Sequence, residues 1–373
     1  MARAPVLQEI EEQPEADRLE GFAHPRNTAR LFGHRDSEAS FAAAFSAGRM
    51  HHGWLIAGRE GIGKATLSYR MARFALAEPH ERGRGEDPLD IEPGTIAARQ
   101  VRALSHPGLM VIRRPWDTKL KRFLTVISVD EVRRIKSFLA HSAGASSWRV
   151  VIVDQADELN GPAANALLKS LEEPPARTVF LLVTSEPGRL LTTIKSRCRR
   201  LDLAALDETN LKLATEGAVT AAQAPPIDPK QWPMLLECAQ GSVRRLLALS
   251  RSEGLGIHAK VKGIIATLPK LDWPQVHALA DEVTGAGAEQ RFEQMFDLLV
   301  DSIARLVRIR AIGAGSADEL RLAGRLITDH GLASWAELWE TVVVKKAETL
   351  ALNLDRKALI LETFARMQAA ARG

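Results

Sequence analysis

The chain has 373 residues, of which 46% are hydrophobic and 26% charged, so wholesale disorder is excluded and two or three folded domains are expected. No apolar run approaches the roughly 20 residues of a membrane span, and the acidic N-terminus lacks a signal core, so we expect a cytoplasmic protein. With 50 basic and 46 acidic residues, the net charge of +4 permits a nucleic-acid partner without requiring one. Two cysteines, Cys198 and Cys238, are too few for a disulfide scaffold or a cysteine-rich zinc site.

Residues 1–20 are polar and acidic and contain proline, which predicts a disordered tail. From residue 21 to 203, short apolar runs alternate with segments of helical periodicity, a pattern typical of an α/β domain with a parallel sheet. The predicted strands are 51–57, 109–112, 149–154, 179–184 and 199–203, and the predicted helices are 35–50, 65–76, 129–139, 163–171 and 190–196. Residues 78–94 predict a surface loop and residues 113–122 a basic excursion.

Strand signals fade after residue 204. We expect a small helical lid over 204–252 and an all-helical C-terminal domain over 253–373, with long helices at 291–312 and 333–344. Trp273, Trp335 and Trp339 are expected in the core of that last domain.

A glycine-rich loop lies between the first predicted strand and the helix that follows it. Gly58 and Gly63-Lys64 have the spacing of a phosphate-binding loop, with Gly61 between them, and backbone N–H groups of such a loop bind phosphate oxygens. The next position in active loops is Ser or Thr, whose hydroxyl binds Mg²⁺. Here it is Ala65, and Thr66 comes one residue late, about 100° around the helix.

The strand that ends at Asp154 has the form of a Walker B strand. Asp154 would hold the water shell of a metal, whereas the catalytic glutamate expected next is Gln155, whose amide cannot accept a proton. Asp157 is a carboxylate at the wrong position of the turn. These two departures predict a nucleotide-binding fold that has lost hydrolysis.

Two further motifs carry a family resemblance. Residues 165–175 read Asn-Ala-Leu-Leu-Lys-Ser-Leu-Glu-Glu-Pro-Pro, and residues 196–198 read Ser-Arg-Cys. With the glycine-rich loop at the right distance, these motifs resemble the clamp-loader family of AAA+ proteins over residues 24–250. The resemblance implies an AAA+ P-loop domain over 21–203, the lid over 204–252, and a collar over 253–373 that holds subunits in a ring.

The resemblance also implies site residues. Arg197 of Ser-Arg-Cys would be an arginine finger that acts in trans on ATP held by a neighbouring subunit, the alternative being an ordinary ion pair. Thr184 and Arg244 match the sensor-1 and sensor-2 positions, as contacts to nucleotide or as structural remnants. The degenerate nucleotide site would comprise Gly58, Gly61, Gly63, Lys64, Thr66, Asp154, Thr184 and Arg244, and it leaves vestigial ATP binding open.

The partners implied are gamma/tau and delta subunits in a hetero-pentameric ring, the sliding clamp, and primed DNA through the complex, without a membrane. Relatives carry a four-cysteine zinc module in the region 78–108, which here has no cysteine, so we expect no zinc. The leading hypothesis is a non-hydrolysing stator in DNA replication. The alternatives are an active gamma/tau-like ATPase and, more remotely, a P-loop kinase for a small molecule.

Overall fold

The computed structural model describes residues 14–83, 85–140, 148–251, 254–285, 288–328 and 330–373. The chain divides into two compact units, Met1–Leu247 and Ala248–Gly373. The first unit carries the strands, whereas the described residues of the second form helices and no strand. In the part of the chain described, no helix is both long and apolar enough to cross a bilayer.

The elements of the first unit alternate between strands and helices. In chain order they are α1 (Arg35–Ser46), β1 (Gly53–Ala57), α2 (Lys64–Leu76), α3 (Ile96–Arg102), β2 (Leu109–Ile112), β3 (Trp116–Asp117), β4 (Arg122–Phe123), α4 (Val129–Ala140), β5 (Arg149–Val153), α5 (Gly161–Glu172), β6 (Thr178–Thr184), α6 (Thr192–Lys195), β7 (Arg199–Asp202), α7 (Glu208–Ala221), α8 (Trp232–Ala239) and α9 (Val243–Arg251), which begins in this unit. Five strands pair in parallel in the order β2-β5-β6-β1-β7. This arrangement confirms the predicted α/β class.

Both faces of the sheet are buried, and the alternation of side chains along each strand divides the core in two. From β1, Trp54 and Ile56 enter the core that contains residues of α1, α2 and α3, whereas Leu55 enters the core that contains residues of α4 and α5. Strands covered on both faces need apolar residues at nearly every position, which explains why the predicted strands read as continuous apolar runs. Trp54 packs edge-on against Phe41, with ring centroids 5.2 Å apart.

The second unit consists of helices that pack against one another. They are α10 (Gly254–Thr267), α11 (Trp273–Thr284), α12 (Glu289–Ile312), α13 (Ala317–Leu326), α14 (Leu332–Leu352) and α15 (Arg356–Ala370). Trp335 is fully buried, as expected, and Trp273 is half-buried, whereas Trp339 is 37% exposed, so the expectation of a core position was wrong for Trp339. The helical C-terminal region itself is confirmed.

The structure corrects two details of the sequence-based expectations and leaves a third as a prediction. Residues 14–20 are not a disordered tail, because Glu15 and Asp17 form ion pairs with Arg113; residues 1–13 lie outside the described residues. The helix α3 follows the predicted surface loop, and the basic excursion contains the antiparallel hairpin β3–β4, which the sequence did not predict. The separate lid with boundaries near 204 and 252 stays a prediction, since α7 and α8 fall within the first unit.

Replacing the buried indole of β1 should destabilise the first unit. The Trp54 ring is fully buried, its Nε1 donates to His51 O at 3.0 Å, and the Arg199 guanidinium lies 4.9 Å from its centroid. We expect Trp54→Ala to lower the free energy of unfolding by about 3–5 kcal/mol through the cavity it leaves. Leu213→Ala, at a side chain that is 46% exposed, should change it by less than about 1 kcal/mol. Urea titration followed by circular dichroism measures both, and equal effects would contradict this account of the core.

Candidate functional site

The loop between β1 and α2 has a backbone that glycine adopts most easily. Gly58 and Gly61 have φ values of 149° and 74°, which L side chains rarely adopt. A Cβ at Gly58 would lie 2.6 Å from the carbonyl oxygen of Leu203, and a Cβ at Gly61 would lie 2.3 Å from Ser242 Oγ. Gly63 ends the loop as the N-cap of α2. The predicted glycines therefore hold the loop at the carboxyl end of β1.

The ammonium group of Lys64 is fully occupied by acceptors of the protein itself. Its Nζ donates to Gly58 O at 2.8 Å, to Arg59 O at 2.5 Å and to Ser185 Oγ at 3.0 Å. These three bonds use all three donors of an ammonium group. Burial lowers the pKa of Lys64 to about 8, although nearby carboxylates, among them Asp154, favour its charged form. A phosphate would therefore have to displace internal partners of Lys64.

The acidic residue at the end of β5 is buried, and an amide follows it in the chain. Asp154 follows β5 and is 4% exposed; burial, and next the charge of Asp17, raise its pKa to about 7, while Lys64 opposes the shift. Gln155 has a left-handed backbone with φ of 53°, and its Oε1 accepts a hydrogen bond from Arg114 Nε at 3.3 Å. The amide at the position of a catalytic glutamate therefore contacts a guanidinium, which also pairs with Glu158 at 2.7 Å.

Thr184 and Asp157 support the loop from the neighbouring strand. Thr184 ends β6, is buried, and accepts a hydrogen bond from the Glu186 backbone at 3.2 Å through its hydroxyl. Asp157 Oδ1 accepts from the Ser185 backbone at 3.1 Å, and Ser185 contacts Lys64. Asp157, which the sequence placed at the wrong position for catalysis, thus orients the residue that binds the loop lysine.

Residues at the start of α9 contact the glycine-rich loop that follows β1. The Val243 backbone N–H donates to Gly61 O at 2.9 Å, which joins the lid region to the phosphate loop. Arg244 Nε lies 3.2 Å from Glu60 Oε1, and Arg244 Nη1 lies 3.4 Å from the carbonyl oxygen of Asp17. The predicted sensor-2 arginine is therefore brought to the loop, where its guanidinium already has partners.

The loop opens into a cavity of about 520 Å³, a volume within the usual range of small-molecule sites. The structure brings most of the predicted nucleotide-site residues to this one cavity: Gly61, Gly63, Lys64, Thr66, Asp154, Thr184 and Arg244 line it. Gly58 and Arg197 are not among its lining residues. Apolar side chains from residues 16–32 and from α7 line much of the remaining wall, so the cavity combines a phosphate loop with an apolar region.

A buried cluster of charges beside the cavity was missed by the sequence analysis. Arg113 pairs with Glu15 at 2.5 Å and with Asp17 at 3.0 Å, His24 Nε2 lies 2.8 Å from Asp17, and Arg26 pairs with Glu15 at 2.7 Å. Burial alone would raise the pKa of Asp17, but the hydrogen bond and charge of His24, and then the charge of Arg113, hold it below its ordinary value. Nothing in the sequence connects groups almost 100 residues apart.

Arg197 lies apart from this cavity, in the turn between α6 and β7. Its Nη2 is 3.1 Å from Glu172 Oε1 and its Nη1 donates to Thr193 O at 3.1 Å, while the side chain is 37% exposed. The neighbouring Cys198 faces Gly53, where an added Cβ would lie 3.0 Å from Cys198 Sγ, and burial raises the pKa of this thiol to about 12. Cys198 is therefore a packing residue, whereas Ser196 is exposed and the Arg197 side chain is partly exposed.

A zinc site was not expected in the region 78–108. This region contains two histidines, His80 and His106, but no cysteine. The Nδ1 atom of His106 accepts a hydrogen bond from the Gly108 backbone N–H at 3.0 Å. Within the described ranges of the whole chain, no group of three or more His, Cys, Asp or Glu side chains is placed to hold a metal ion.

The sheet order, the glycine loop at the end of β1 and the acidic end of β5 define a P-loop domain of the AAA+ class. A family model described as "DNA polymerase III, delta subunit" matches residues 33–207. DNA polymerase III subunit delta′ of Escherichia coli K12 is 30% identical over 264 residues, 70% of this chain and 73% of that protein. The delta′ subunit of Pseudomonas aeruginosa is 29% identical, over 84% of this chain and 90% of its own.

DNA polymerase III subunit tau of Salmonella typhimurium is 27% identical over 77% of this chain, and the match spans only 42% of that longer protein. The chain belongs to the clamp-loader family of DNA polymerase III subunits. The family resemblance inferred from the loop, residues 165–175 and Ser-Arg-Cys is thereby confirmed.

The buried carboxyl of Asp154 should make stability depend on pH. Its folded pKa of about 7 lies above the ordinary value of 3.8, so the stabilisation is complete below about pH 4 and is lost as pH rises through 7. We expect the free energy of unfolding to fall between pH 5 and 8, relative to Asp154→Asn, by an amount on the order of a few kcal/mol. Urea titrations at several pH values measure this difference.

Asp228→Asn, at an exposed carboxylate, is the matched control, and its stability should follow that of the unsubstituted chain at every pH. A constant difference between the unsubstituted chain and Asp154→Asn across this range would contradict the predicted protonation.

Proposed function

We propose that this chain is a delta′-type subunit of a DNA polymerase III clamp loader, a stator that does not hydrolyse ATP and that supplies Arg197 to a neighbouring ATPase subunit. The observation that carries the proposal is the state of the phosphate site. Lys64 is saturated by its own loop and Ser185, and the position after Asp154 is an amide bound to Arg114.

Hydrolysis of ATP needs a metal ligand on the loop helix and a group that orients and deprotonates water. Ala65 has no hydroxyl, and Gln155 cannot accept a proton. These residues therefore do not fit a hydrolytic magnesium site, and we derive no step through the metal.

The cavity still fits a nucleotide in volume and in the character of its walls. Its apolar region suits a base, and the loop with Lys64 suits phosphates. ATP bound there would remain intact, because Ala65 and Gln155 replace the hydroxyl and the carboxylate that hydrolysis uses. Vestigial nucleotide binding without turnover is therefore part of the proposal.

Arg197 has the properties that an arginine finger requires. Its pair with Glu172 is solvent-exposed on both sides, at 37% and 44%, and such pairs contribute only about 0–1 kcal/mol. A phosphate that carries more than one charge offers a planar guanidinium a stronger, bidentate partner. Arg197 therefore loses little free energy when it leaves Glu172 to bind a phosphate on a neighbouring subunit.

The proposed partners follow from the family. The chain would occupy a hetero-pentameric ring with gamma/tau and delta subunits, held by the helices α10–α15 as a collar. The ring would open a sliding clamp and place it on primed DNA, and contact with DNA would be mainly to backbone phosphates.

An active gamma/tau-like ATPase is the second candidate, favoured by one observation. Thr66 lines the same cavity as Lys64 and Asp154, so its hydroxyl is near the place where the missing Ser or Thr would act. This candidate still lacks a base at position 155.

The isolated chain should show no ATP turnover above background. We expect the unsubstituted chain and Lys64→Ala to be indistinguishable when phosphate release is measured with ATP and Mg²⁺, because neither has a base for the attacking water. Turnover in the unsubstituted chain that Lys64→Ala abolishes would support the gamma/tau-like candidate and reject the stator.

Arg197→Ala should lower hydrolysis at one site of the reconstituted complex without affecting assembly. Loss of an arginine finger reduces the rate at its site by about 10³-fold or more, so single-turnover hydrolysis should lose the phase that belongs to that site. Arg197→Lys should not restore the rate, because an ammonium group lacks the bidentate geometry.

Arg189→Ala is the matched control, at an exposed arginine paired with Glu186 three residues away. It should leave both hydrolysis and assembly unchanged, assembly being followed by size-exclusion chromatography. If Arg197→Ala gave the kinetics of this control in a fully assembled complex, the finger would be ruled out.

A further inference from the structure

Two sequence motifs, residues 165–175 and Ser-Arg-Cys at 196–198, meet in the structure through one ion pair. Glu172, from the first motif, lies 3.1 Å from the guanidinium of Arg197, from the second. We propose that Glu172 is the resting partner of Arg197: a carboxylate of the same chain that competes with the phosphate of the neighbouring subunit and thereby limits how readily the arginine engages it. The inference rests on the proposed function in taking Arg197 as the arginine finger.

The first argument is that the backbone at Arg197 is fixed. The Arg197 N–H donates to Ile194 O at 3.1 Å, which extends the hydrogen bonding of α6 into the turn. The start of β1 packs against the same turn, because a Cβ at Gly53 would lie only 3.0 Å from the Arg197 carbonyl oxygen and 3.0 Å from Cys198 Sγ. Engagement of a phosphate therefore depends on the side chain of Arg197, whose base is held in place.

The second argument is the difference between the two partners of that side chain. Arg197 Nη1 donates to Thr193 O at 3.1 Å, which is a local contact within the turn. Glu172 is the last residue of α5, so its carboxylate ties the guanidinium to a different element. The two contacts use two of the five N–H donors of a guanidinium. Of the two partners, Glu172 is the anion, and a phosphate competes with it for the same charged fork.

The third argument is electrostatic. The C-terminal end of a helix carries a partial negative charge that disfavours a carboxylate, and α5 ends at Glu172 with the exposed Glu173 next to it. Arg197 offsets part of this negative charge. When Arg197 turns to a phosphate, Glu172 loses that compensation, and two anions near one guanidinium repel each other. Both effects oppose engagement, and both depend on the charge of Glu172.

The fourth argument is the strength of the pair. Arg197 and Glu172 are 37% and 44% exposed, so water screens their attraction and a multiply charged phosphate can displace the carboxylate. A buried pair would hold the arginine far more firmly, because breaking it leaves an uncompensated charge in the protein. A competing state lowers apparent engagement by the fraction of the population that it holds. The exposure of this pair corresponds to a restraint of about two- to fivefold.

The test uses the complex reconstituted with gamma/tau and delta subunits, in which single-turnover hydrolysis of ATP is followed by rapid quench. Glu172→Gln keeps the size of the side chain and removes its charge. We expect it to raise the rate of the phase that belongs to the site of Arg197 by about two- to fivefold. Glu173→Gln is the matched control, since it removes the charge of the adjacent exposed carboxylate, and its rate should equal that of the unsubstituted complex.

A double variant shows whether the gain passes through the arginine. Glu172→Gln/Arg197→Ala should hydrolyse ATP at the rate of Arg197→Ala alone, because without the guanidinium there is no partner to release. A gain that persisted in the double variant would overturn the proposal. An unchanged rate in Glu172→Gln would also overturn it, and so would a lower rate, which would make Glu172 a support of the finger.

Two further measurements separate this role from a structural one. Because the Glu172 side chain is 44% exposed, Glu172→Gln should change neither the urea midpoint of the chain nor the elution volume of the complex. If Arg197→Ala left hydrolysis unchanged, the arginine finger would fail and the inference with it. If Arg197→Ala removed the phase while Glu172→Gln matched Glu173→Gln, the inference alone would fail, so the two failures are distinguishable.

Discussion

The candidate site depends on one constraint, which is that β1 lies inside a parallel sheet buried on both faces. Parallel strands that are covered by helices on both sides bring their carboxyl ends to one edge, and there the backbone groups need partners other than a strand. The glycine loop after β1, Asp154 after β5 and Thr184 at the end of β6 meet at this edge. The cavity exists because the parallel pairing of β5, β6 and β1 places these three strand ends side by side.

The charges at this edge are balanced within the chain. Lys64 is satisfied by its own loop, Arg244 by Glu60, and Arg113 by Glu15 and Asp17. In a site built for turnover, such cations are held ready for a phosphate. Cations that are already neutralised at this edge support the proposal that the chain retains the architecture of an ATPase and acts on a neighbour through Arg197.

Much of the site was predictable because its signals are local. A strand followed by Gly-rich residues and Lys64, or by Asp154 and Gln155, is contained in fewer than ten residues, and the chemical consequence of Ala65 needs no coordinates. The ion pairs of Glu15 and Asp17 and the hairpin β3–β4 were not predictable. The pairs of Asp17 with Arg113 and of Trp116 with Phe123 depend on chain reversals that leave no periodic pattern.

The sequence alone determined the fold class, the family and the replacement of two motif residues by Ala65 and Gln155, since each depends on residue identity at short spacing. Only the tertiary structure decided that Lys64 is saturated, that Gln155 contacts Arg114, and that Asp17 is buried beside Asp154. The physical reason is that burial and long-range ion pairing depend on which segments pack together. A sequence specifies the donors and acceptors, and the packed chain selects the partners among them.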